Sequence, residues 1–210
     1  SWTRGSGGGG GASAAGNPAL VTTGAAPDPP ADTPTFRPHP DGFPHSVDLI
    51  REAHQDPWFA IAVSGFPEVH ADATDRAADI AYLKRKVEVG GCAVLTQLFF
   101  DNAYFFEFLE HVRRAGITVP VVPGILPILS VAQVRRFTAL CKATIPSAVA
   151  RELARYETDE AGAPAYGIEL ATRQCEGLLT AGVPGLHFYA LNRAHSVEAI
   201  LRNLGLAPAG

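Results

Sequence analysis

The 210-residue sequence contains no methionine, only three cysteines and no long apolar run. Because methionine is missing even at position 1, we expect a piece of a longer protein or a processed product. Cys92, Cys141 and Cys175 are scattered and odd in number, and no CxxC or Cys/His cluster is present, which disfavours a disulfide framework and a metal site. We therefore expect reduced core thiols in a cytoplasmic protein. The apolar runs at 58–63 and 119–129 are too short or are broken by proline, so no membrane span is predicted.

An excess of positive charge is also missing. The formal net charge is −4, the isoelectric point is near 5.9, and no basic stripe is present, so a nucleic-acid partner is not predicted. Hydrophobic residues make up 47% of the chain and charged residues 18%, as in soluble globular proteins. A chain of this length is long enough for one domain with its own core.

The chain divides at its N-terminal end by composition. Residues 1–16 are rich in Gly, Ser and Ala and are predicted to be a flexible segment, and 17–207 hold the domain. A GxGxxG pattern at 5–10 has no strand before it and no amphipathic helix after it, so a dinucleotide site is not predicted there. Residues 25–44 contain many prolines and are predicted to be loop.

Strand and helix patterns alternate along the domain. Strands are predicted near 19–23, 58–64, 92–98, 119–122 and 185–189. Helices are predicted at 46–54, from a cap at Asp72 or Thr74 to about 88, and at 102–115, 130–142, 147–156, 166–181 and 196–204. This alternation predicts parallel strands with right-handed crossovers. The fold class is α/β, a (β/α)8 TIM-type barrel with fewer than eight units, since a complete barrel takes about 250 residues. Its two edge strands would need cover.

The stretch 83–101 organises the rest of the chain. Lys84 and Lys86 fall in the last turn of a helix, where cations suit the dipole. Gly90 and Gly91 are predicted to supply left-handed conformations, and 92–95 reads as a strand buried on both faces. Gln97 then lies at the carboxyl end of a parallel strand, the edge where α/β barrels keep their chemistry.

Four motifs occur in order over residues 17–207: FPEVH at 66–70, LKRKV with TQLFFD in 83–101, PGILPI at 123–128 and LHFYALNR at 186–193. On these motifs the chain resembles the methylenetetrahydrofolate reductase family. The resemblance implies the last five βα units of the catalytic barrel, with FAD as cofactor. It implies reduction of 5,10-methylenetetrahydrofolate to 5-methyltetrahydrofolate with NAD(P)H as hydride donor.

The resemblance places Gln97 at the centre of the chemistry, contacting the nicotinamide and the folate in turn. A neutral amide can donate and accept hydrogen bonds without adding charge. The structural alternative is an amide that only satisfies neighbouring backbone groups.

The resemblance also implies FAD contacts on and after the second strand. His70 and Lys86 would face the pyrophosphate, Phe66 would pack near the flavin, and Asp79 would meet polar groups of the cofactor. The structural alternatives are a loop aromatic, an exposed histidine and a solvated helix face. Further FAD contacts are implied at His45, Ser46, Ala73 and Tyr82.

Folate contacts are implied at Gln133, Phe137 and Arg193. Gln133 also completes a capping box with Ser130, in which it would bond back to the cap amide, and this needs no ligand. Phe137 is equally suited to the core. Arg193 could hold a carboxylate or a pterin oxygen by charge-assisted hydrogen bonds.

The match weakens after the first strand. Thr23 stands where the family has an arginine, next to Gly24, and both fall at FAD-contacting positions. Asp28, the family's catalytic aspartate by this resemblance, is displaced by an insertion and is equally an ordinary turn residue. The family's first-strand glutamate, its proton donor, has no counterpart in this sequence. Since general acid catalysis is worth about 10²–10⁴-fold, we expect the isolated chain to be nearly inactive in folate reduction.

Three hypotheses stay open at this point. The chain is a fragment of a working reductase, a catalytically dead truncated barrel that binds flavin weakly or acts as an interaction module, or a different barrel enzyme with coincidental motifs. Formation of a homo-oligomer also stays open.

Overall fold

Five parallel strands form one sheet in chain order, and helices connect each strand to the next. The computed structural model describes the backbone of residues 19–23, together with residues 42–157 and 160–206. The strands are β1 (Ala19–Thr23), β2 (Phe59–Gly65), β3 (Gly91–Leu98), β4 (Val121–Ile125) and β5 (His187–Phe188). The helices are α1 (Ser46–Ala53), α2 (Arg76–Glu88), α3 (Asn102–Arg114), α4 (Val131–Cys141), α5 (Ser147–Leu153), α6 (Ala163–Thr180) and α7 (Ala194–Asn203). Short 3₁₀ turns cover Ala154–Tyr156 and Glu160–Gly162.

The sheet order is β1-β2-β3-β4-β5, and all four pairings are parallel. Parallel strands that neighbour each other in chain order, with a helical crossover between them, are the repeating unit of a (β/α)8 barrel. The prediction of an α/β barrel truncated to about five units is confirmed. Within the described residues, β1 and β5 each pair with one strand only, so these five strands do not close on themselves.

The outer face of the sheet carries the main core. Ile61 and Val63 of β2 and Val94 of β3 are at most 1% exposed, and they belong to one cluster with Phe105 and Phe108 of α3. Burying side chains of this size stabilises the fold by about 1.5–3 kcal/mol each. A second cluster lies beyond the strand ends and includes residues of β3, α4 and α5: Leu98, Phe100, Leu126, Ile128, Val131, Val134, Val149 and Leu153.

Element boundaries differ from the prediction where side chains compete for backbone groups. β4 begins at Val121 rather than 119, and the carbonyls of Ile117 and Val119 before it accept hydrogen bonds from Arg113 of α3. α6 begins at Ala163 rather than 166, with a proline in its first turn, where a missing N–H costs nothing.

Two finer predictions, about the cap of α2 and the conformation of Gly91, are wrong. Asp75, not Asp72 or Thr74, caps α2, and its side chain accepts a hydrogen bond from the Ala78 amide at 2.8 Å. Gly90 has φ +133°, but Gly91 does not adopt a positive φ because it already pairs as the first residue of β3.

The segment 92–95 is not buried on both faces. Val94 is buried in the main core, whereas Ala93 and Leu95, which alternate with it along the strand, are only half-buried. Cys92 is exposed and is the extra residue where the register of β3 shifts against β2, since Ile61 pairs with Gly91 and Ala62 pairs with Ala93. Cys92 is therefore not a core thiol, Cys141 is half-buried, and Cys175 is buried; within the described residues none of the three forms a disulfide.

Candidate functional site

Helix α2 turns two charged side chains toward the sheet. Arg76, Asp79, Leu83 and Lys86 follow a 3-4-3 spacing, which places them on one helix face. Asp79 is 7% exposed and Lys86 is 4% exposed. Aspartate and lysine are almost never buried to this degree unless they are paired with another group. Packing alone therefore does not explain why this face of α2 carries both residues.

Lys86 lies between two aromatic rings at the carboxyl end of β2. Its Nζ donates to the Ser64 carbonyl and lies 5.8 Å from the ring centroid of Phe66 and 5.6 Å from that of Tyr82. Both distances are within the range of cation–π attraction. Burial lowers the pKa of Lys86 to about 8, and the charge of Asp79 opposes that shift. Lys86 is thus still mainly protonated at pH 7, and no described carboxylate lies within 4.0 Å of its nitrogen.

Asp79 fixes the loop that leads from β2 to α2. Its Oδ2 accepts a hydrogen bond from the His70 amide at 3.2 Å. Burial raises the pKa of Asp79, while that backbone hydrogen bond and the nearby charges of Lys86, His70 and Arg76 act to lower it. In this structure the carboxylate therefore acts mainly on the backbone that carries His70.

The His70 ring packs edge-on against Phe66, with ring centroids 4.4 Å apart. Its Nδ1 accepts a hydrogen bond from the Asp72 amide at 3.1 Å. Because an accepting nitrogen carries no proton, the neutral ring is protonated at Nε2, which has no hydrogen-bond partner among the described residues. His70 therefore offers one free donor beside Phe66.

Sequence reasoning missed the residues that hold this loop in place. Arg76 donates to the carbonyls of Phe66 at 3.0 Å and Pro67 at 2.6 Å. On the far side, the Glu68 carboxylate accepts from the Thr144 amide at 3.0 Å, and Lys142 Nζ donates to the Ala71 carbonyl at 3.2 Å. The position of Arg76 on the inward face of α2 was a readable signal; the contacts across 142–144 depend on tertiary structure alone.

Gln97 lies at the carboxyl end of β3, as predicted, and lines a small cavity with Phe66, Glu68 and Cys141. The cavity holds about 10 Å³, roughly the space of one water molecule. Gln97 Oε1 accepts from the Leu98 amide at 2.9 Å, so the structural alternative holds for the oxygen. The Nε2 donor has no hydrogen-bond partner in the described part of the chain. The loop after β2 thus brings Phe66 and Gln97 to one place.

Of the other implied FAD contacts, some lie beside Lys86 and the rest lie farther from it. Ser46 Oγ lies 3.3 Å from Tyr82 Oη, which joins α1 to the group around Lys86. Ala73 is half-buried, and its amide donates to the His70 carbonyl at 3.0 Å. His45 is exposed and caps α1 without a side-chain hydrogen bond. For Thr23 only the backbone is described, and it pairs with Val63 of β2. Gly24 and Asp28 lie outside the described residues.

The implied folate contacts are spread over two regions. Ser130 Oγ accepts from the Gln133 amide at 3.0 Å, as the capping box predicts, but Gln133 Oε1 accepts from the Leu129 amide at 2.8 Å rather than from the cap amide. The reason is that the chain before α4 turns the Leu129 N–H toward the helix. Phe137 is half-buried against the second core cluster. Arg193 is exposed, and its guanidinium has no hydrogen-bond or ion-pair partner in 42–157 or 160–206.

The family model described as "Methylenetetrahydrofolate reductase" matches residues 23–205, which include every strand end described above. The chain belongs to the methylenetetrahydrofolate reductase family. It is 40% identical over 190 residues to a rice protein (Oryza sativa subsp. japonica) named "Probable methylenetetrahydrofolate reductase (NADH)", covering 85% of this chain and 32% of that protein. It is 34% identical over 164 residues to the 5,10-methylenetetrahydrofolate reductase of Escherichia coli (strain K12), covering 78% of this chain and 55% of that protein.

A solved structure supports the fold. A protein from Clostridium thermocellum, described as binding two copies of 5-methyl-5,6,7,8-tetrahydrofolic acid, superposes with a TM-score of 0.53 at 17% identity. The match covers 75% of this chain and 57% of that chain. At this identity the likeness concerns the fold alone.

The described residues contain neither a membrane-spanning helix nor a metal-binding group of side chains. No described helix combines the length and apolar character that crossing a bilayer requires. No group of three or more His, Cys, Asp or Glu side chains in the described ranges is arranged to hold a metal ion.

Proposed function

We propose that this chain supplies the FAD-binding and hydride-positioning residues of a barrel that reduces 5,10-methylenetetrahydrofolate to 5-methyltetrahydrofolate with NAD(P)H. The observation that carries the proposal is Lys86, a buried cation with no carboxylate of the described residues within 4.0 Å, held between two aromatic rings at the carboxyl end of a barrel strand. Membership of the reductase family supports the reaction.

The residues present fit a flavin dinucleotide. FAD carries two phosphate charges and flat aromatic rings. A buried ammonium at Lys86 and a free Nε2 donor at His70 suit the phosphates, since charge-assisted hydrogen bonds are the strong ones. Phe66 offers an aromatic surface beside both of them. Asp79 and Arg76 hold the loop that presents these groups. When bound, FAD supplies the hydride chemistry itself.

Gln97 is the residue that we assign to the two substrates in turn. Its Oε1 is already bonded to the backbone, so the group left for a ligand is the Nε2 donor. An uncharged donor can orient a nicotinamide carbonyl or a pterin oxygen without favouring either charge state. The relatives' names include both NADH and NADPH forms, and the proposal covers either donor.

Phe137 and Arg193 are assigned to the folate, Phe137 as a surface for its ring and Arg193 for an anionic or carbonyl oxygen. Arg193 is suited to this role because its guanidinium is exposed and unpaired within the described residues. Gln133 joins them only if its capping bond to Leu129 is given up, so we expect it to contribute least.

The experiment measures the binding of FAD and its reduction by NADH or NADPH. The chain is mixed with FAD, desalted, and then treated with NADH or NADPH without oxygen. We expect yellow protein that bleaches with one of the two donors, and bleaching that slows strongly in Gln97→Ala while FAD is retained. A folded protein that stays colourless would contradict the proposal for this chain. Gln55→Ala, an exposed glutamine after α1, is the control.

Near-inactivity of the isolated chain in folate reduction remains a prediction. The residues assigned above position hydride transfer, and none of them is a counterpart of the first-strand glutamate that the family uses as proton donor. We therefore expect bleaching by NAD(P)H to be faster than formation of 5-methyltetrahydrofolate by about 10²-fold or more. Equal rates would show that an acid is present.

A further inference from the structure

Strand β3 leaves its regular register at the residues before its carboxyl end. Leu95 pairs with Val122, and the next pair is Leu98 with Gly124, so Thr96 and Gln97 lie opposite the single residue Pro123. Proline has no N–H and cannot donate to a neighbouring strand. Extra residues of this kind recur beside active sites, where they change the direction of a side chain. The irregularity thus sets the direction of Gln97.

Two hydroxyl groups replace the hydrogen bonds that the irregular register removes. Thr96 Oγ1 accepts from the Gly124 amide at 2.9 Å, and Tyr189 Oη donates to the Thr96 carbonyl at 2.9 Å. Thr96 is fully buried, so its carbonyl has no access to water. Tyr189 is itself tied to the sheet, because its amide donates to the Ile125 carbonyl at 2.9 Å. The Tyr189 side chain therefore reaches from the end of β5 across β4 to β3.

The space beside the hydrogen bond between Tyr189 and Thr96 has no room for a side chain at position 124. A Cβ on Gly124 would lie 2.2 Å from the Thr96 oxygen and 2.8 Å from Cε2 of Tyr189, so only glycine fits. The Tyr189 ring also packs edge-on against His187, with centroids 5.0 Å apart. Burial raises the pKa of Tyr189 to about 12, which keeps its hydroxyl a donor at neutral pH.

We infer that Tyr189 is a positioning residue for Gln97: its hydroxyl fixes the Thr96 carbonyl and with it the direction of the Gln97 side chain. The Thr96 carbonyl and the backbone N–H of Gln97 belong to one planar peptide unit, which rotates as a whole. A hydrogen bond to that oxygen therefore restrains the backbone torsion that directs Gln97. The consequence for hydride transfer rests on the proposed function, whereas the restraint itself does not.

The test compares Tyr189→Phe with Tyr156→Phe, each of which removes one tyrosine hydroxyl. Tyr156 donates to Glu152 at 3.4 Å and packs against the second core cluster, and it does not contact Gln97. The first readout is the NMR signal of the Gln97 side-chain amide, assigned by its loss in Gln97→Glu. We expect this signal to shift or broaden in Tyr189→Phe and to stay unchanged in Tyr156→Phe. An unchanged signal in Tyr189→Phe would overturn the inference.

The second readout separates positioning from general stability. In chain loaded with FAD, Tyr189→Phe should slow bleaching by NAD(P)H by about 10- to 100-fold at saturating donor, since small misplacements of a positioned group cost this much. FAD retention should stay at the wild-type level. Loss of FAD together with loss of thermal stability, without a change at Gln97, would mean a structural role only and would overturn the inference.

A check on the unsubstituted chain covers the case in which Tyr189→Phe does not fold. A bonded, buried hydroxyl exchanges its proton slowly, so the wild-type protein should show a Tyr189 hydroxyl signal with a cross-peak to an α proton of Gly124, which lies beside the bond. If no such signal appears at low temperature and neutral pH, the bond is absent and the inference fails. If wild-type protein holds FAD but is not bleached by NADH or NADPH, the proposed function fails, and the NMR readouts still decide the role of Tyr189.

Discussion

Two neighbouring regions of this barrel segment use opposite chemistry at the same edge of the sheet. The first, which we call the Lys86 cluster, consists of Ser46, Phe66, His70, Asp79, Tyr82 and Lys86. The second, the Gln97 end, consists of Thr96, Gln97, Gly124 and Tyr189. The Lys86 cluster buries two ionisable side chains, Asp79 and Lys86, neither of which forms an ion pair within 4.0 Å in the described part of the chain. The Gln97 end is uncharged and is held by hydrogen bonds of hydroxyl and amide groups.

The difference fits two tasks. A site that holds an anion benefits from a buried cation even at a cost to folding, because the anion later removes the unfavourable charge. A site that orients two different neutral groups in turn gains nothing from charge and depends on geometry instead. The account therefore expects substitutions in the Lys86 cluster to change affinity, and substitutions at the Gln97 end to change stability and rate.

The largest effect on stability is expected at the Gln97 end. Gly124→Ala places a methyl group 2.2 Å from the Thr96 oxygen, a backbone atom that cannot move away alone. We expect a loss of about 3 kcal/mol in the free energy of unfolding, at the upper end for overpacking. Gly185→Ala is the control, because nothing lies within 4 Å of its added carbon and its φ is not positive. Equal urea midpoints for the two variants would show that the Gln97 end is not tightly packed.

The Lys86 cluster should respond in the opposite direction. Lys86→Met removes a buried charge and keeps a side chain of similar length, so the free energy of unfolding without ligand should rise by about 1–3 kcal/mol. The lost hydrogen bond to the Ser64 carbonyl limits the gain. Thermal unfolding of the apo protein measures the change, with Lys84→Met on the exposed side of α2 as the control. A large loss of stability in Lys86→Met would mean that the cation serves the fold.

The pH dependence gives a third, smaller effect. The pKa of Lys86 is about 8 in the folded chain and near its ordinary 10.5 when unfolded. Between these values the unfolded chain binds more protons at this residue, so the free energy of unfolding should rise with pH across that window. Anion affinity should fall over the same range as the charge is lost. Urea unfolding from pH 7 to 10 should show this slope in the wild type but not in Lys86→Met; identical slopes would contradict the burial of the charge.

The smallest effect is expected where the loop after β2 meets the segment after α4. Glu68→Gln weakens the carboxylate contact with the Thr144 amide, which lies at the surface, so the loss should be within about 1 kcal/mol. Faster hydrogen exchange at Thr144 is the direct measurement. Glu107→Gln, on the exposed side of α3, should leave that exchange unchanged. Unchanged exchange in Glu68→Gln would show that this contact does not hold the loop.

The sequence was sufficient to predict the fold class because the alternation of strands and helices is a local pattern. The resemblance also named the residues of the Lys86 cluster and Gln97, and the structure brings Phe66, His70, Asp79 and Lys86 together; their roles toward FAD and the substrates stay predictions. The sequence could not reveal Tyr189 or the Thr144 contact as supports of the site. Each of these acts through a backbone carbonyl or amide of a distant residue, and such contacts leave no spacing in the sequence.

Two errors have one physical origin. Cys92 was expected in the core because it belongs to an apolar run, but it is exposed at the point where the register of β3 shifts against β2. Gln133 was expected to bond to its own cap amide, and it bonds one residue earlier because the turn before α4 presents Leu129. In both cases the local pattern was correct, and the surroundings determined the outcome.

The central claim is that the buried charge of Lys86 binds FAD. Its most direct test is the dissociation constant of FAD for Lys86→Met and Lys84→Met at pH 7, measured by flavin fluorescence under the same conditions. Both substitutions remove one positive charge from the same helix, but only Lys86 is buried between Phe66 and Tyr82. The account predicts that Lys86→Met weakens binding at least about 10-fold, as expected for one charge-assisted contact, and that Lys84→Met matches the wild type. Equal dissociation constants for all three proteins would contradict it.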